Sequence, residues 1–208
     1  MGTGTKSGVN WIQTFTGKRF DYLAPSVDDV CIEDIAHALS LQARYNGHLT
    51  RFYSVAQHCI HVATLCEEFA VAQDYSWSNM IHVARWGLLH DAAEAYVGDI
   101  PSPLKALLPE FKRIESDIQV VICCAFDLAI QEPLVVKQFD LEMLGTETEW
   151  GFADGPRKDW GLTTKSGKLP APRPELRAHM LSPMSPEVAE EQFLSRFRRL
   201  FKTQGVNP

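Results

Sequence analysis

The side chains of this chain that could carry chemistry as a set are His58, the adjacent pair His90 and Asp91, Glu94, Asp99 and Asp140. His90 and Asp91 close the apolar stretch Ile81–Leu89, where an imidazole and a carboxylate are costly to bury unless both find partners. Glu94 follows His90 by four residues and Asp91 by three, a spacing that turns all three toward one side of a helix. A candidate ligand pair then stands beside a candidate acid/base. His58 lies among Val55, Ala56, Ile60 and Val62, which implies burial in the middle of a preceding helix. A lone histidine on such a face reads as structure. Two imidazoles and two carboxylates from separate helices read instead as a bundle-type metal site. Mixed nitrogen and oxygen donors suit Mn, Fe, Co, Ni or Zn better than a calcium cage. Spacing alone does not separate Asp140 from Asp117 or Asp127, and periodicity does not show that these helices meet.

The elements that would position these residues follow from the changing period of the sequence. Residues 11–23 alternate around Thr16-Gly17-Lys18 and predict a short β-hairpin. A helix is expected from the cap Asp28-Asp29 to about Tyr45, with Ile32, Ile35, Ala36 and Leu39 on one face and Asn46-Gly47 ending it. Ser54 with Gln57 has the spacing of a capping box and opens a helix to about Ala72. A third, mostly apolar helix over 78–95 would be central. After the turn Gly98–Pro103, helices are expected over 109–129 and 133–149. Five prolines and four glycines in 151–183 predict a long irregular segment, a candidate for the rim of a pocket. Ser185-Pro186-Glu187 starts a last helix with an apolar stripe through Val188, Phe193, Leu194, Phe197, Leu200 and Phe201. The predicted fold class is thus all-α, a helical bundle with a short N-terminal hairpin. It divides into an extension (1–27), a core (28–150), and a Pro/Gly-rich loop with a C-terminal amphipathic helix packed on the core (151–208).

Composition narrows the function. The chain has 208 residues, 45% of them apolar and 22% charged, enough to bury one core. A net charge of −6 argues against stable nucleic-acid binding, although a metal and a few cations can still hold a small anion. Arg196, Arg198, Arg199 and Lys202 read as solvated cations at a helix C-terminus. No apolar run is long enough for a membrane span, and residues 1–8 lack the apolar region of a secretory signal. Those eight residues read as a flexible native start or a tag remnant. Five cysteines without a C-x-x-C pair read as reduced thiols, so a cytoplasmic location is expected.

Four ordered blocks carry a family resemblance: S-V-A-Q-H ending at His58, H-D-A-A-E from His90 to Glu94, G-D-I-P-S-P-L-K from Gly98 to Lys105, and V-K-Q-F-D ending at Asp140. Over roughly residues 30–150 the chain resembles the HD-domain metal-dependent phosphohydrolases, especially their 5′-deoxynucleotidase-like branch of bacteria and phages. The resemblance implies that His58, His90, Asp91 and Asp140 ligate one divalent metal, with Mn, Co, Zn, Fe or Ni favoured and Mg as an alternative. Glu94 then matches the residue that positions or deprotonates the attacking water, and Asp99 a second acidic residue close by. Arg44 matches an arginine that grips the substrate phosphate, and Lys105 could add a cation there. Gln57 departs from the glutamate that many relatives carry before the first histidine, which alters a hydrogen bond behind the ligands.

The implied reaction is in-line attack of water on the α-phosphorus of a deoxynucleotide, with a metal as Lewis acid and the nucleoside 5′-oxygen as leaving group. The same chemistry serves a monophosphate, as a 5′-deoxynucleotidase, or a triphosphate, as a triphosphohydrolase. Two other readings compete: an alarmone or cyclic-nucleotide phosphohydrolase, and a non-catalytic nucleotide sensor. Retention of all four candidate ligands with Glu94 speaks against the sensor, and the extra motifs of the alarmone and cyclic-nucleotide branches are missing. Relatives assemble as dimers or larger, so a homo-oligomer is expected. His48 and Arg51 read as solvated loop, Trp86 and Tyr96 as core, and His61 as a neighbour of His58 on one face. His37, His82 and His179 receive no role.

Overall fold

The computed structural model describes residues 9–154 and 171–202. Strands β1 (Trp11–Gln13) and β2 (Arg19–Asp21) pair antiparallel with Ile12 opposite Phe20. Gly17 supplies the left-handed residue of the predicted turn, at φ 86°. The hairpin is anchored by Phe20, which is fully buried and stacked on Tyr96 at 3.8 Å.

Helix α1 (Ile32–Leu41) is shorter at both ends than its periodicity predicts. Asp28 and Asp29 belong to a separate 3₁₀ turn capped by Ser26, and Val30 is extended, so the chain re-enters helix only after Cys31. At the other end Gln42 and Ala43 turn extended because they find long-range partners. Ala43 bridges Ser54, Arg44 N–H donates to Tyr53 C=O, and Val55 N–H donates to Gln42 C=O. Tyr45, Asn46 and Gly47 then hold φ of 55°, 51° and 75°, three consecutive left-handed residues.

Helices α2 (Val55–Ala72) and α3 (Trp77–Leu89) form the central pair. Their close approach needs Gly87, where a Cβ would stand 2.9 Å from Ala63 Cα. Ser54 caps α2 by accepting from Gln57 N–H, as predicted. The reciprocal half of the box is absent. The Gln57 side chain instead accepts from Met184 N–H, tying α2 to the segment that leads into the last helix.

The third predicted helix is interrupted. It stops at Leu89, passes through a turn at 90–93, and resumes as α4 (Glu94–Val97). Gln119 supplies the cause: its Nε2 donates to Leu89 C=O at 2.9 Å and its Oε1 accepts from Ala93 N–H at 3.2 Å. Those two backbone groups would otherwise bond each other in a continuous helix, so the amide is a wedge in the ladder. The predicted turn at 98–103 runs into α5 (Ser102–Lys105). Helices α6 (Pro109–Ala125) and α7 (Leu134–Gly151) match expectation closely. The segment expected to be irregular contains, in its described part, a 3₁₀ turn (Pro174–Leu176) and α8 (Arg177–Leu181); residues 155–170 lie outside the described residues.

Helix α9 (Pro186–Phe201) packs on α1, α2 and α3 and buries Ala189, Phe193, Leu200 and Phe201. Its cations are only partly the solvated set expected, since Arg196 and Arg199 both bind Glu67. The five cysteines are free thiols, three of them buried. No described helix is long and apolar enough to cross a membrane.

Candidate metal centre

His58, from the first turn of α2, is fully buried. Its Nδ1 lies 2.6 Å from Glu147 Oε1, and its Nε2 lies 3.2 Å from His90 Nε2. His90, just past the end of α3, has its Nδ1 2.9 Å from Gly87 C=O. A carbonyl or carboxylate oxygen only accepts, so both Nδ1 atoms carry a proton, and in the neutral rings both Nε2 atoms present lone pairs. Two lone pairs facing each other at 3.2 Å need a cation between them. Asp140 Oδ1, from α7, lies 3.3 Å from His58 Nε2, and Asp91 Oδ2 lies 3.3 Å from His90 Nε2 and 3.7 Å from His58 Nε2. Donors about 2.1 Å from one tetrahedral ion stand roughly 3.4 Å apart, so His58, His90 and Asp140 could hold a common divalent metal, with Asp91 beside His90. His58, His90 and Asp140 form one group with convergent donor atoms; Cys59, His90 and Asp91 form another.

Electrostatics agree with a cation-seeking centre. The pKa of Asp91 is lowered chiefly by His90, and that of Asp140 lies well below the carboxylate range through His58 and His90, in both cases against the effect of burial. His58 and His90 are raised, His58 by Glu147 and Asp140 and His90 by Asp91, again against burial.

The remaining predicted residues surround this cluster. Arg44 reaches it from the left-handed turn after α1, with Nε 3.1 Å from Glu147 and Nη1 3.5 Å from Asp91. Glu94 begins α4 on the far side of the 90–93 turn, not on a helix shared with His90 as the spacing implied. Its Oε1 accepts from Lys105 Nζ at 3.3 Å, whereas its Oε2 is buried without a hydrogen-bond partner among the described residues. Burial and the charges of Asp91 and Asp99 push Glu94 well above the glutamate range. Lys105 also meets Glu115 at 2.6 Å. Asp99 stands with Arg44 in the wall of a cavity of about 320 Å³ that also includes Tyr45, Pro101, Pro103 and Leu144. A second cavity of about 270 Å³ opens against His90, Asp91, Glu94 and Lys105.

The weaker candidates settle simply. His48 and Arg51 are exposed; Trp86 and Tyr96 are core. His61 shares the helix face of His58 but contacts Gln57 and stacks parallel to Tyr53.

Three polar residues that the sequence did not single out complete the centre. Glu147 is fully buried and accepts from Arg44 and Tyr45 as well as facing His58. It follows Asp140 by seven residues, two helical turns, which was its only signal. Gln42 donates to Glu94 C=O at 3.0 Å and accepts from Asp99 N–H at 3.1 Å, holding both acidic residues by their backbone. Gln119 makes the wedge before Glu94. Neither glutamine stands in a pattern that marks it.

Residues 38–125 match the family model described as "5′-deoxynucleotidase YfbR-like". The chain is 39% identical to the uncharacterized protein YfdR of Escherichia coli over 193 residues, covering 92% of this chain and 96% of that one. It is 30% identical to the 5′-deoxynucleotidase YfbR of Photorhabdus temperata over 89 residues, 39% of this chain and 45% of that one. A cyanophage S-2L HD phosphohydrolase, DatZ, bound to dA and one catalytic Zn²⁺ ion, is similar at a TM-score of 0.48 and 20% identity over 81% of this chain and 96% of that one. That likeness is too distant to carry an argument. The match to the YfbR-like family model, with 39% identity to YfdR over nearly the whole of both chains, shows that the chain belongs to the YfbR-like 5′-deoxynucleotidase family.

Proposed function

We propose that the protein hydrolyses the ester between phosphorus and the 5′-oxygen of deoxynucleotides, releasing a deoxynucleoside. The observation that carries this reading is the pair of inward lone pairs on His58 and His90, closed by Asp91 and Asp140 and flanked by Arg44 and Glu94. Those four side chains would hold a divalent transition metal, which would supply a Lewis acid for the phosphoryl group and the attacking water.

The chain's own residues do the rest. Glu94 offers its buried, unshared Oε2 to the water and accepts its proton, and burial with the charges of Asp91 and Asp99 raises its affinity for that proton. Lys105 holds the other oxygen and so fixes which lone pair faces the water. Arg44 gives the non-attacked phosphoryl oxygens a planar cationic donor beside the ligands. The cavity lined by Tyr45, Pro101, Pro103 and Leu144, with Asp99 as its acidic group, receives the nucleoside. The more polar cavity beside Glu94 and Lys105 admits water and receives the released phosphate.

Product analysis by chromatography tests this reading. Deoxy- and ribonucleoside mono-, di- and triphosphates would be incubated with the enzyme and Mn, Co or Mg. Deoxynucleoside and inorganic phosphate from monophosphates are expected. Deoxynucleoside with intact triphosphate would make the enzyme a triphosphohydrolase. No turnover of any member by metal-loaded protein would overturn the assignment in favour of an alarmone substrate or a sensor.

A further inference from the structure

The ring of partners around Glu147 joins two parts of the site that are otherwise separate. Its Oε1 faces His58 Nδ1 at 2.6 Å; its Oε2 accepts from Arg44 Nε at 3.1 Å and from Tyr45 O–H at 2.8 Å. The carboxyl has no exposed surface. Each oxygen therefore serves a different function of the proposed reaction, one the metal-binding histidine and the other the phosphate-binding arginine.

We propose that Glu147 is a positioning residue that sets the ligand tautomer of His58 and, through the same carboxylate, the placement of Arg44 and Tyr45. The inference rests on the proposed function. An anionic acceptor on Nδ1 keeps the proton there, frees Nε2 for a metal and makes the ring a stronger donor. Its second oxygen draws Arg44 down to the cluster and holds the hydroxyl of Tyr45, whose φ of 55° lies in the left-handed region that a tyrosine adopts only when its surroundings hold it.

The isosteric change Glu147→Gln separates this role from simple packing. A glutamine has one acceptor oxygen and one donor nitrogen. With nitrogen toward His58, it donates to Nδ1 and drives the ring proton onto Nε2, where it blocks the metal. With nitrogen toward Arg44, two donors oppose each other and the guanidinium is released. No orientation satisfies both sides.

The experiment measures Zn²⁺ affinity by chelator competition, and kcat and KM for a deoxynucleoside monophosphate, in wild type and Glu147→Gln. Expected is a loss of ~10- to 100-fold in metal affinity, together with a higher KM that persists at saturating metal. Metal affinity and KM both within twofold of wild type would overturn the proposal. A change in metal affinity alone would overturn its shared part. Should the variant fail to fold, the wild type decides: in Zn²⁺-loaded protein labelled with ¹⁵N-histidine, the His58 proton must reside on Nδ1 in a slowly exchanging, strongly downfield signal. A proton on Nε2, or an ordinary fast-exchanging Nδ1 proton, would refute it. Failure of wild type to bind Zn²⁺ at all would instead strike the proposed function itself.

Discussion

Two residues of this site can be separated by what their loss should leave intact. The Glu94 side chain hydrogen-bonds none of the four candidate ligands among the described residues; its partner is Lys105. Glu94→Gln should therefore retain stoichiometric metal while kcat falls by at least ~10², the ordinary value of a positioned acid/base. Metal analysis beside steady-state kinetics checks this, and a metal-loaded variant at wild-type rate would remove Glu94 from the chemistry. His61 lies on the same helix face as His58 yet belongs to a different problem, that of stability. Burial and nearby cations depress its pKa to about 4, and its neutral ring nitrogen lies 3.5 Å from Gln57 Nε2. An unfolded histidine titrates near 6.5, so between about 6.5 and about 4 the unfolded chain binds the extra proton and stability falls with pH. The contribution is complete above the upper value and is lost as pH drops through the window. Its full size is on the order of 3 kcal/mol. Urea unfolding at pH 7 and pH 4.5 should show a smaller loss for His61→Gln than for wild type, and equal losses would show that this ring does not titrate as argued.

At the scale of elements, the parts of the fold written in local sequence were legible and the parts written by distant partners were not. The Ser54 cap, the hairpin turn at Gly17 and the apolar stripe of α9 follow from neighbours in the chain and are found where expected, except that Val188 at the head of the stripe is exposed and Ala189 is buried in its place. The ligand set was legible only through the four ordered blocks, because periodicity could not bring α7 to α2 or prefer Asp140 over Asp117. The end of α1 at Leu41 was hidden because Gln42–Arg44 are drawn off by Tyr53, Ser54 and Val55. The break after Leu89 was hidden for a similar reason, since its cause is Gln119 on α6. That wedge has a consequence for chemistry: the turn it opens carries His90 and Asp91 and sets where Glu94 begins α4. Gln119→Ala removes the partners of Leu89 C=O and Ala93 N–H, which can then bond each other and rejoin α3 to α4. The expected result is weaker metal binding together with a clear loss of kcat, and a crystal structure with a continuous helix across residues 90–93. Wild-type kcat in this variant would show that the break does not depend on the amide. Gly87→Ala tests the packing of α2 on α3 more directly. Its Cβ meets the Ala63 backbone at 2.9 Å as well as Cys66 Sγ at 3.0 Å, and the backbone contact requires the helices to separate. A loss of ~1–3 kcal/mol is expected from such overpacking, read by denaturant unfolding.

For the whole molecule, the candidate metal centre is a cost of folding that a bound metal would relieve. Helices α2, α3 and α7 converge to bury His58, His90, Asp91 and Asp140 beside Glu147, and the net charge of −6 lends no surrounding excess of cations. Without metal, protons must take its place. The raised pKa values of His58 and His90 state this directly: the native protein binds those protons more tightly than the unfolded chain does. Their contribution to the metal-free protein is therefore complete below about pH 6.5 and is lost as pH rises through the native values. Metal has the opposite dependence, because it needs both Nε2 lone pairs and is opposed by the same protons. The stabilisation gained on adding metal should accordingly increase with pH. A metal present at one hundred times its dissociation constant contributes about 2.7 kcal/mol, and for a chain of this length each kcal/mol moves Tm by about 2–4 °C. Calorimetry of chelator-treated protein with and without added Mn²⁺ or Zn²⁺ should show a rise of several degrees at pH 8 and a clearly smaller rise at pH 6. An equal rise at both values would mean that the two histidines do not exchange protons for metal. A rise that shrinks toward pH 8 would place the bound metal on groups other than these imidazoles.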